Sequence, residues 1–239
     1  TVTPHRTGIP TVLKSYVYHN LFFMTHESQY DNMNAFFRTN GYDEIYSQSD
    51  YPKNQVVNSF GVSDHFLFQY ALPVINRTAS KGKPFMATLL TISNHPPFVL
   101  PNYFKPRSKK IETQIVEYAD WSISQFIHAA QKEPWYKNTI FVLVADHGKL
   151  IGTADAELPQ SYNHIPLIIF GKDVPTLKYK ELAGQIDIMP TLLGLLHMSY
   201  DYEGFGITLL KEKRNMLFYS ADNMIAARNS HNYYLYNQS

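Results

Sequence analysis

The stretch Thr139-Ile140-Phe141-Val142-Leu143-Val144-Ala145-Asp146-His147-Gly148 sets the reading of this chain. An apolar run rich in β-branched residues stops at an acid, an imidazole and a glycine. Such a run reads as a strand buried on both faces, hence part of a parallel sheet with helices on either side. In open sheets of that kind ligands sit beyond the carboxyl ends of the strands, which is where Asp146 and His147 are delivered. A hard oxygen beside an imidazole nitrogen suits Zn2+ or Mn2+. Gly148 lets the backbone turn so that both side chains face one point. The plainer alternative is an N-capping Asp next to an exposed His.

On either side of this run, short apolar stretches alternate with helical patterns, as in an α/β fold. Asn20–Thr25 is a strand, and Gln29–Asn40 reads as a helix closed by Gly41. Ser63 suits the N-cap of a helix through Phe66, Phe68 and Tyr70 that Pro73 bends or ends. Pro84–Ile92 is a second buried strand, followed by Ser93-Asn94-His95-Pro96-Pro97-Phe98. Ile111, Ile115, Ala119, Ser122 and Phe126 recur at helical spacing, predicting one long helix over 109–131. Ile165–Phe170 is another strand, and a helix runs from Ile186 to about Met198 with Asp187 as its cap. Met216–Tyr219 and Tyr233–Tyr236 read as antiparallel strands, so that 200–239 forms a small C-terminal subdomain of one domain over 1–239.

Composition narrows the function classes. With 239 residues, 44% of them hydrophobic and 17% charged, the chain is long and apolar enough for a substantial core. A net charge of +1 gives no reason to expect a nucleic-acid partner. The absence of cysteine excludes disulfides, thiolate metal sites and a cysteine nucleophile. Eighteen tyrosines are compatible with sugar or protein recognition as well as with core packing. No apolar run reaches the roughly 20 residues that span a bilayer. The chain does not begin with Met and is expected to be a processed or excised piece.

Three histidines stand just beyond apolar strands: His26, His95 and His147. If the strands are neighbours their loops converge, and the chemistry favoured is displacement at a charged ester, with a metal neutralising oxyanions. His95 can equally be a turn residue locked by two prolines. Behind His26 stand Glu27, Tyr30, Asp31 and Asn32, a polar cluster that can bind anionic groups, though capping by Ser28 or Glu27 explains much of it. His164 precedes its strand, and Asp120 and Trp121 sit within the long helix, so these three read as structural. Two ligands do not complete a metal site. No Gly-x-Ser-x-Gly elbow or phosphate-binding glycine loop supplies a nucleophile.

Ala145-Asp146-His147-Gly148, with Asp187-Ile-Met-Pro-Thr191-Leu-Leu downstream, resembles the sulfatase branch of the alkaline phosphatase superfamily. Thr91-Ile-Ser-Asn-His95-Pro-Pro-Phe98 is similar to the histidine loop of lipoteichoic acid synthases and lipid A phosphoethanolamine transferases. Tyr118-Ala-Asp120-Trp-Ser-Ile-Ser-Gln-Phe126 resembles their long helix, and Gly8-Ile-Pro-Thr-Val-Leu13 the helix before the first strand. The likeness runs through most of residues 6–200.

The resemblance implies an alkaline phosphatase-like, mostly parallel sheet flanked by helices, with small C-terminal antiparallel strands and the N-terminal part of the fold missing. It implies one divalent ion, Mn2+ or Zn2+ with Ca2+ or Mg2+ as alternatives, held by Asp146 and His147. An upstream acid and a Thr or Ser nucleophile, expected before this chain, would complete the site, so the isolated chain is expected to be inactive. His95 would contact phosphate or leaving group, and His26, Tyr30, Asp31 and Asn32 would line the substrate side. The family's arginine near His26 is replaced, which departs from the glycerol phosphate pattern. The implied activity is phosphoryl or sulfuryl ester transfer or hydrolysis on phospholipid-derived, sulfated or glycan substrates. The implied setting is an extracytoplasmic domain, the full-length protein being membrane-anchored through upstream helices. An arylsulfatase-like hydrolase and a non-catalytic glycan-binding module that keeps the fold are the alternatives.

Overall fold

In the computed structural model, which describes residues 6–149, 153–221 and 223–237, helix α1 (Ile9–Ser15) leads into strand β1 (His19–Met24). Successive side chains of a strand point to opposite faces. Leu21 and Phe23 therefore face one way and Phe22 and Met24 the other, yet all four are 3% exposed or less. Full burial of each contributes about 1.5–3 kcal/mol, so β1 is stabilised only where both faces are covered.

Helix α2 (Met33–Thr39) covers one face, its Met33 and Phe37 packing on Phe22, Met24, Tyr42 and Ile45. Strand β2 (Glu44–Tyr46) pairs with β1 in parallel. A small antiparallel hairpin, β3 (Val56–Asn58) and β4 (Gly61–Val62), precedes helix α3 (Asp64–Ala79). Leu67, Ala71, Val74 and Ile75 of α3 form a helical stripe that closes on Leu21 and Phe23 across the second face. Strand β5 (Phe85–Leu90) pairs in parallel with the other edge of β1, giving the order β2-β1-β5. Helix α4 (Ile111–Ala130) lies against α3, with Phe126 stacked on Phe68 at 5.1 Å.

These elements belong to the first of two compact units, Thr1–Tyr136 and Lys137–Ser239. In the second, strand β6 (Ile140–Val144) pairs antiparallel with strand β7 (Leu167–Gly171), and Phe141 stacks on its partner Phe170 at 5.0 Å. The short helix α5 (Gln160–Asn163) lies between them in sequence. Helix α6 (Ile188–Leu195) comes directly after a tight turn at Gln185–Asp187. Strands β8 (Leu217–Ala221), β9 (Met224–Arg228) and β10 (Tyr233–Asn237) form an antiparallel sheet in the order β10-β9-β8.

The α/β class read from the sequence is the one found: a parallel sheet with helices, and small antiparallel strands at the C-terminal end. Three local expectations need correction. β6 is antiparallel to its partner and half-buried, with Val144 44% exposed, because an antiparallel ladder tolerates an open face. The helix expected over 29–40 begins only at Met33, since Asp31 and Asn32 have φ of +47° and +59°. Pro73 does not end α3, whose buried stripe continues past it to Val74, Ile75 and Thr78.

Candidate active site

The carboxyl ends of β1 and β5 lie side by side, because the two strands are parallel and in register from His19 opposite Phe85 to Met24 opposite Leu90. Just beyond β1 stand Thr25 and His26, both buried, the histidine only 4% exposed. Strand β4 of the hairpin locks this end: Val62 donates its N–H to the Thr25 carbonyl at 3.2 Å. Gly61 beside it has φ +93°, in the left-handed region that favours glycine, and a Cβ there would collide with the Thr25 carbonyl.

The segment after β5 carries His95, which is exposed, with its ring 4.3 Å from that of Phe60 in the hairpin turn. Asn58 donates to the Pro97 carbonyl at 3.0 Å, so the hairpin touches both strand ends. Tyr30, Asp31 and Asn32 are exposed beside His26, and the Tyr30 ring centroid is 5.0 Å from the His26 ring. Their turn contains the two consecutive left-handed residues, a conformation that Asp and Asn tolerate better than most. The first unit thus brings His26 and His95 to one sheet edge, with Tyr30, Asp31 and Asn32 next to His26.

In the second unit, β6 leads into Asp146 and His147, whose side chains are 80% and 71% exposed. Asp146 Oδ2 lies 3.8 Å from His147 Nε2, and Asp146 Oδ1 accepts the His147 N–H at 2.9 Å. Gln185 holds the turn by donating Nε2 to the carbonyls of Ala145 and Asp146 at 2.9 and 2.8 Å. The reason for Gly148 is close packing: its N–H donates to the Tyr162 carbonyl at 2.7 Å, and a Cβ would strike the Ser161 carbonyl.

All three strand-end histidines share one feature. The Nδ1 atoms of His26, His95 and His147 face the carbonyls of Glu27, Pro96 and Gly148 at 3.0, 2.7 and 2.7 Å. A carbonyl only accepts, so the hydrogen sits on Nδ1, and Nε2 carries the lone pair when the ring is neutral. For His147 this leaves the lone-pair nitrogen as the one 3.8 Å from Asp146 Oδ2. Two bonds of about 2.0–2.2 Å span up to about 4 Å, so the 3.8 Å separation fits a shared cation. Among the described residues no group of three or more His, Cys, Asp or Glu side chains could hold a metal. The pair offers two donors, fewer than a metal site needs.

Among the described residues two aspartates are buried. Asp187, at 0% exposure, accepts N–H groups from Gly184 at 2.8 Å and Ile207 at 2.9 Å, and is bound by both the Nε and a terminal nitrogen of Arg214. Burial pushes its carboxyl up, but the Arg214 hydrogen bonds and the two amides outweigh that and hold it below its usual value. Asp64, at the start of α3, accepts the N–H groups of Ile92 and Ser93, and there burial prevails and the carboxyl is raised. Sequence reasoning misses Asp64, Gln185 and Phe60. Only Asp64 has a signal, an acid directly after a helix cap.

The family model described as Sulfatase matches residues 2–198. Lipoteichoic acid synthase 2 of Bacillus subtilis is 27% identical over 88% of this chain and 36% of its own length. Phosphoglycerol transferase I of Xanthomonas campestris is 25% identical over 87% of this chain and 31% of its own. The chain thus spans about a third of the curated relatives it matches. A crystal structure of a protein in the alkaline phosphatase superfamily from Vibrio parahaemolyticus superimposes with a TM-score of 0.86 at 29% identity, covering 96% of this chain and 57% of that one. The fold is shared as well with a lipoteichoic acid synthase from Listeria monocytogenes, TM-score 0.81 at 22% identity, covering 95% and 66%. With its strand-end Asp-His pair, its parallel sheet and a family match over most of its length, this chain belongs to the sulfatase family.

Proposed function

We propose that this chain forms part of the catalytic domain of a metal-dependent enzyme that transfers or hydrolyses phosphoryl, or sulfuryl, esters of the cell envelope. The observation that carries the reading is the Asp146–His147 pair, an exposed carboxylate and an imidazole with its Nε2 lone pair free, 3.8 Å apart. Asp146 and His147 would hold one divalent ion, Mn2+ or Zn2+ by the chemistry of the donors, with Ca2+ or Mg2+ as the alternatives. Such an ion supplies charge neutralisation for the oxyanions of the ester. Gln185 keeps the two ligands in place by fixing the backbone that bears them.

His95 is assigned to the phosphate or the leaving group. Its Nδ1–H is engaged by the Pro96 carbonyl, so Nε2 can take a proton when neutral or donate to an oxyanion when charged. His26, Tyr30, Asp31 and Asn32 are assigned to the substrate side. The names of the relatives, lipoteichoic acid synthase and phosphoglycerol transferase, support transfer of a phosphoglycerol group over sulfate chemistry, and a phospholipid-derived substrate is proposed with it. An extracytoplasmic domain of a membrane-anchored protein is the setting proposed. Among the described residues no helix is long and apolar enough to cross a membrane, so the anchor would lie elsewhere in the full-length protein.

The test uses the full-length protein. Metal analysis is expected to find one divalent ion per chain, and Asp146→Ala to remove it and lower turnover by at least about a thousandfold, the scale of losing a group that acts on the reacting atoms. His147→Ala should do the same. An intact protein without bound metal, or an Asp146→Ala variant at wild-type turnover, ends this reading.

A further inference from the structure

We propose that Asp64 is the positioning residue of the His95 loop, the buried carboxylate at the start of α3 that fixes where the imidazole stands. This role rests on the assignment of His95 to the substrate. Asp64 is 2% exposed. Its Oδ1 accepts the N–H of Ile92 at 2.9 Å and of Ser93 at 3.0 Å, and its own N–H donates to Ser93 Oγ at 3.1 Å. The Ile92 carbonyl in turn accepts the His95 N–H at 2.8 Å. The peptide unit joining Ile92 to Ser93 is therefore held at both ends, its N–H by Asp64 and its C=O by His95. From there the ring is oriented by the Pro96 carbonyl and the Phe60 ring.

The next residue of α3 grips the same segment further along. His65 Nδ1 lies 3.3 Å from the Tyr103 hydroxyl, and the His65 N–H donates to the Tyr118 hydroxyl, itself 3.3 Å from that of Tyr103. The first turn of α3 thus holds the chain on either side of His95, at 92–93 and at 103. A carboxyl oxygen accepts amide N–H groups whether the group is ionised or protonated, and a buried acceptor left without partners is costly. Here both accepted bonds fall on the backbone two and three residues before His95. An ordinary helix cap would bond within its own first turn. Asp64 instead reaches across to a strand end.

The experiment is made in the full-length protein with Asp64→Ala, Asp64→Asn, His95→Ala and the Asp64→Ala/His95→Ala pair. Asp64→Ala is expected to lower kcat by on the order of 10- to 100-fold, as small displacements of a reacting group do, with bound metal unchanged. Asp64→Asn, whose amide oxygen still accepts both N–H groups, should restore most of it. In the His95→Ala background Asp64→Ala should add less than about twofold, because the two residues act as one unit. Backbone hydrogen exchange over 91–98 should quicken by about tenfold or more in Asp64→Ala and stay near wild type in Asp64→Asn. The proposal is overturned by an Asp64→Ala protein with unchanged exchange over 91–98, or by one that loses the same factor with and without His95. If Asp64→Ala does not fold, Ser93→Ala, which removes the acceptor of the Asp64 N–H, must quicken the same exchange or the clamp is refuted. A His95→Ala protein at wild-type turnover removes the functional reading of His95 and any catalytic part for Asp64, while the exchange result still decides the clamp.

Discussion

Asp64 and Asp187 hold corresponding posts in the two units of the molecule and keep different company. Each stands at the start of a helix, each is 2% exposed or less, and each accepts two backbone N–H groups. Asp187 also has Arg214. Among the described residues no cation pairs with Asp64. A buried carboxylate can therefore be satisfied by peptide dipoles alone, but its charge is then disfavoured rather than favoured. The largest expected effect comes from removing the guanidinium. Arg214→Ala leaves Asp187 buried without its counter-charge and should destabilise the second unit by about 3–5 kcal/mol, read by urea unfolding. The Asp187→Asn/Arg214→Ala pair should recover much of that loss, since no buried charge remains. A loss under about 1 kcal/mol in the single variant would mean that the pair behaves like an exposed one.

The two aspartates also predict opposite responses to pH. The folded-state value of Asp187 is depressed, so its contribution is present above the unfolded carboxylate value of about 3.9 and is lost as pH falls through the lower folded value. The folded-state value of Asp64 is raised, so its contribution is full below about 3.9 and is lost as pH rises through the higher folded value. Unfolding free energies measured across the acid range for wild type, Asp187→Asn and Asp64→Asn decide the matter. Wild type minus Asp187→Asn should increase with pH, and wild type minus Asp64→Asn should decrease. Two differences of the same sign would remove the contrast between the residues.

How much of these two regions is legible in the sequence depends on the range of each interaction. Asp187 stands at the start of α6 as expected but makes no capping bond to it; its carboxylate accepts the N–H of Gly184, three residues earlier, in the turn before the helix. Arg214 is not legible, being 27 residues downstream with no pattern to announce it. Asp64 is overshadowed by its neighbour Ser63, whose side chain makes no capping bond, because the real partners of Asp64 stand 28 and 29 residues on. The apolar runs behave likewise. The run after Asn20 and the run after Thr139 look alike, and both are strands. Only β1 is buried on both faces between parallel neighbours, while β6 pairs antiparallel with β7. Hydrophobic content reports that a strand forms. It does not report which strand lies beside it. β9 escapes detection because Ala226 and Ala227 give no β-branched or aromatic signal, although Ala226 is buried at the centre of its sheet. Among the candidate residues, the order of motifs points to His95 in the first unit and to Asp146 and His147 in the second, whereas their supports, Phe60 and Asp64 in the first and Gln185 in the second, are defined by contacts across loops.

The smallest expected effect compares the helix ends of the two units. α1 and α6 close in the same way: Val17 and His197 donate to Lys14 and Gly194, and Tyr18 and Met198 to Leu13 and Leu193, all at 3.0–3.1 Å. Both Val17 and His197 sit at positive φ, +65° and +54°, in the place where glycine is usual. The strain is not equal. A β-branched side chain is an outlier in the left-handed region, whereas His enters it several-fold more readily than most residues. Val17 is 68% exposed, so little packing is lost with its side chain. Val17→Gly should therefore stabilise the protein by about 1 kcal/mol, and His197→Gly by only a few tenths, since glycine also loses more freedom on folding. Thermal or urea unfolding of the two variants gives the order. Equal gains would mean that side-chain shape does not set the strain, and a loss at Val17→Gly would mean that its methyl groups contribute more than the strain they impose.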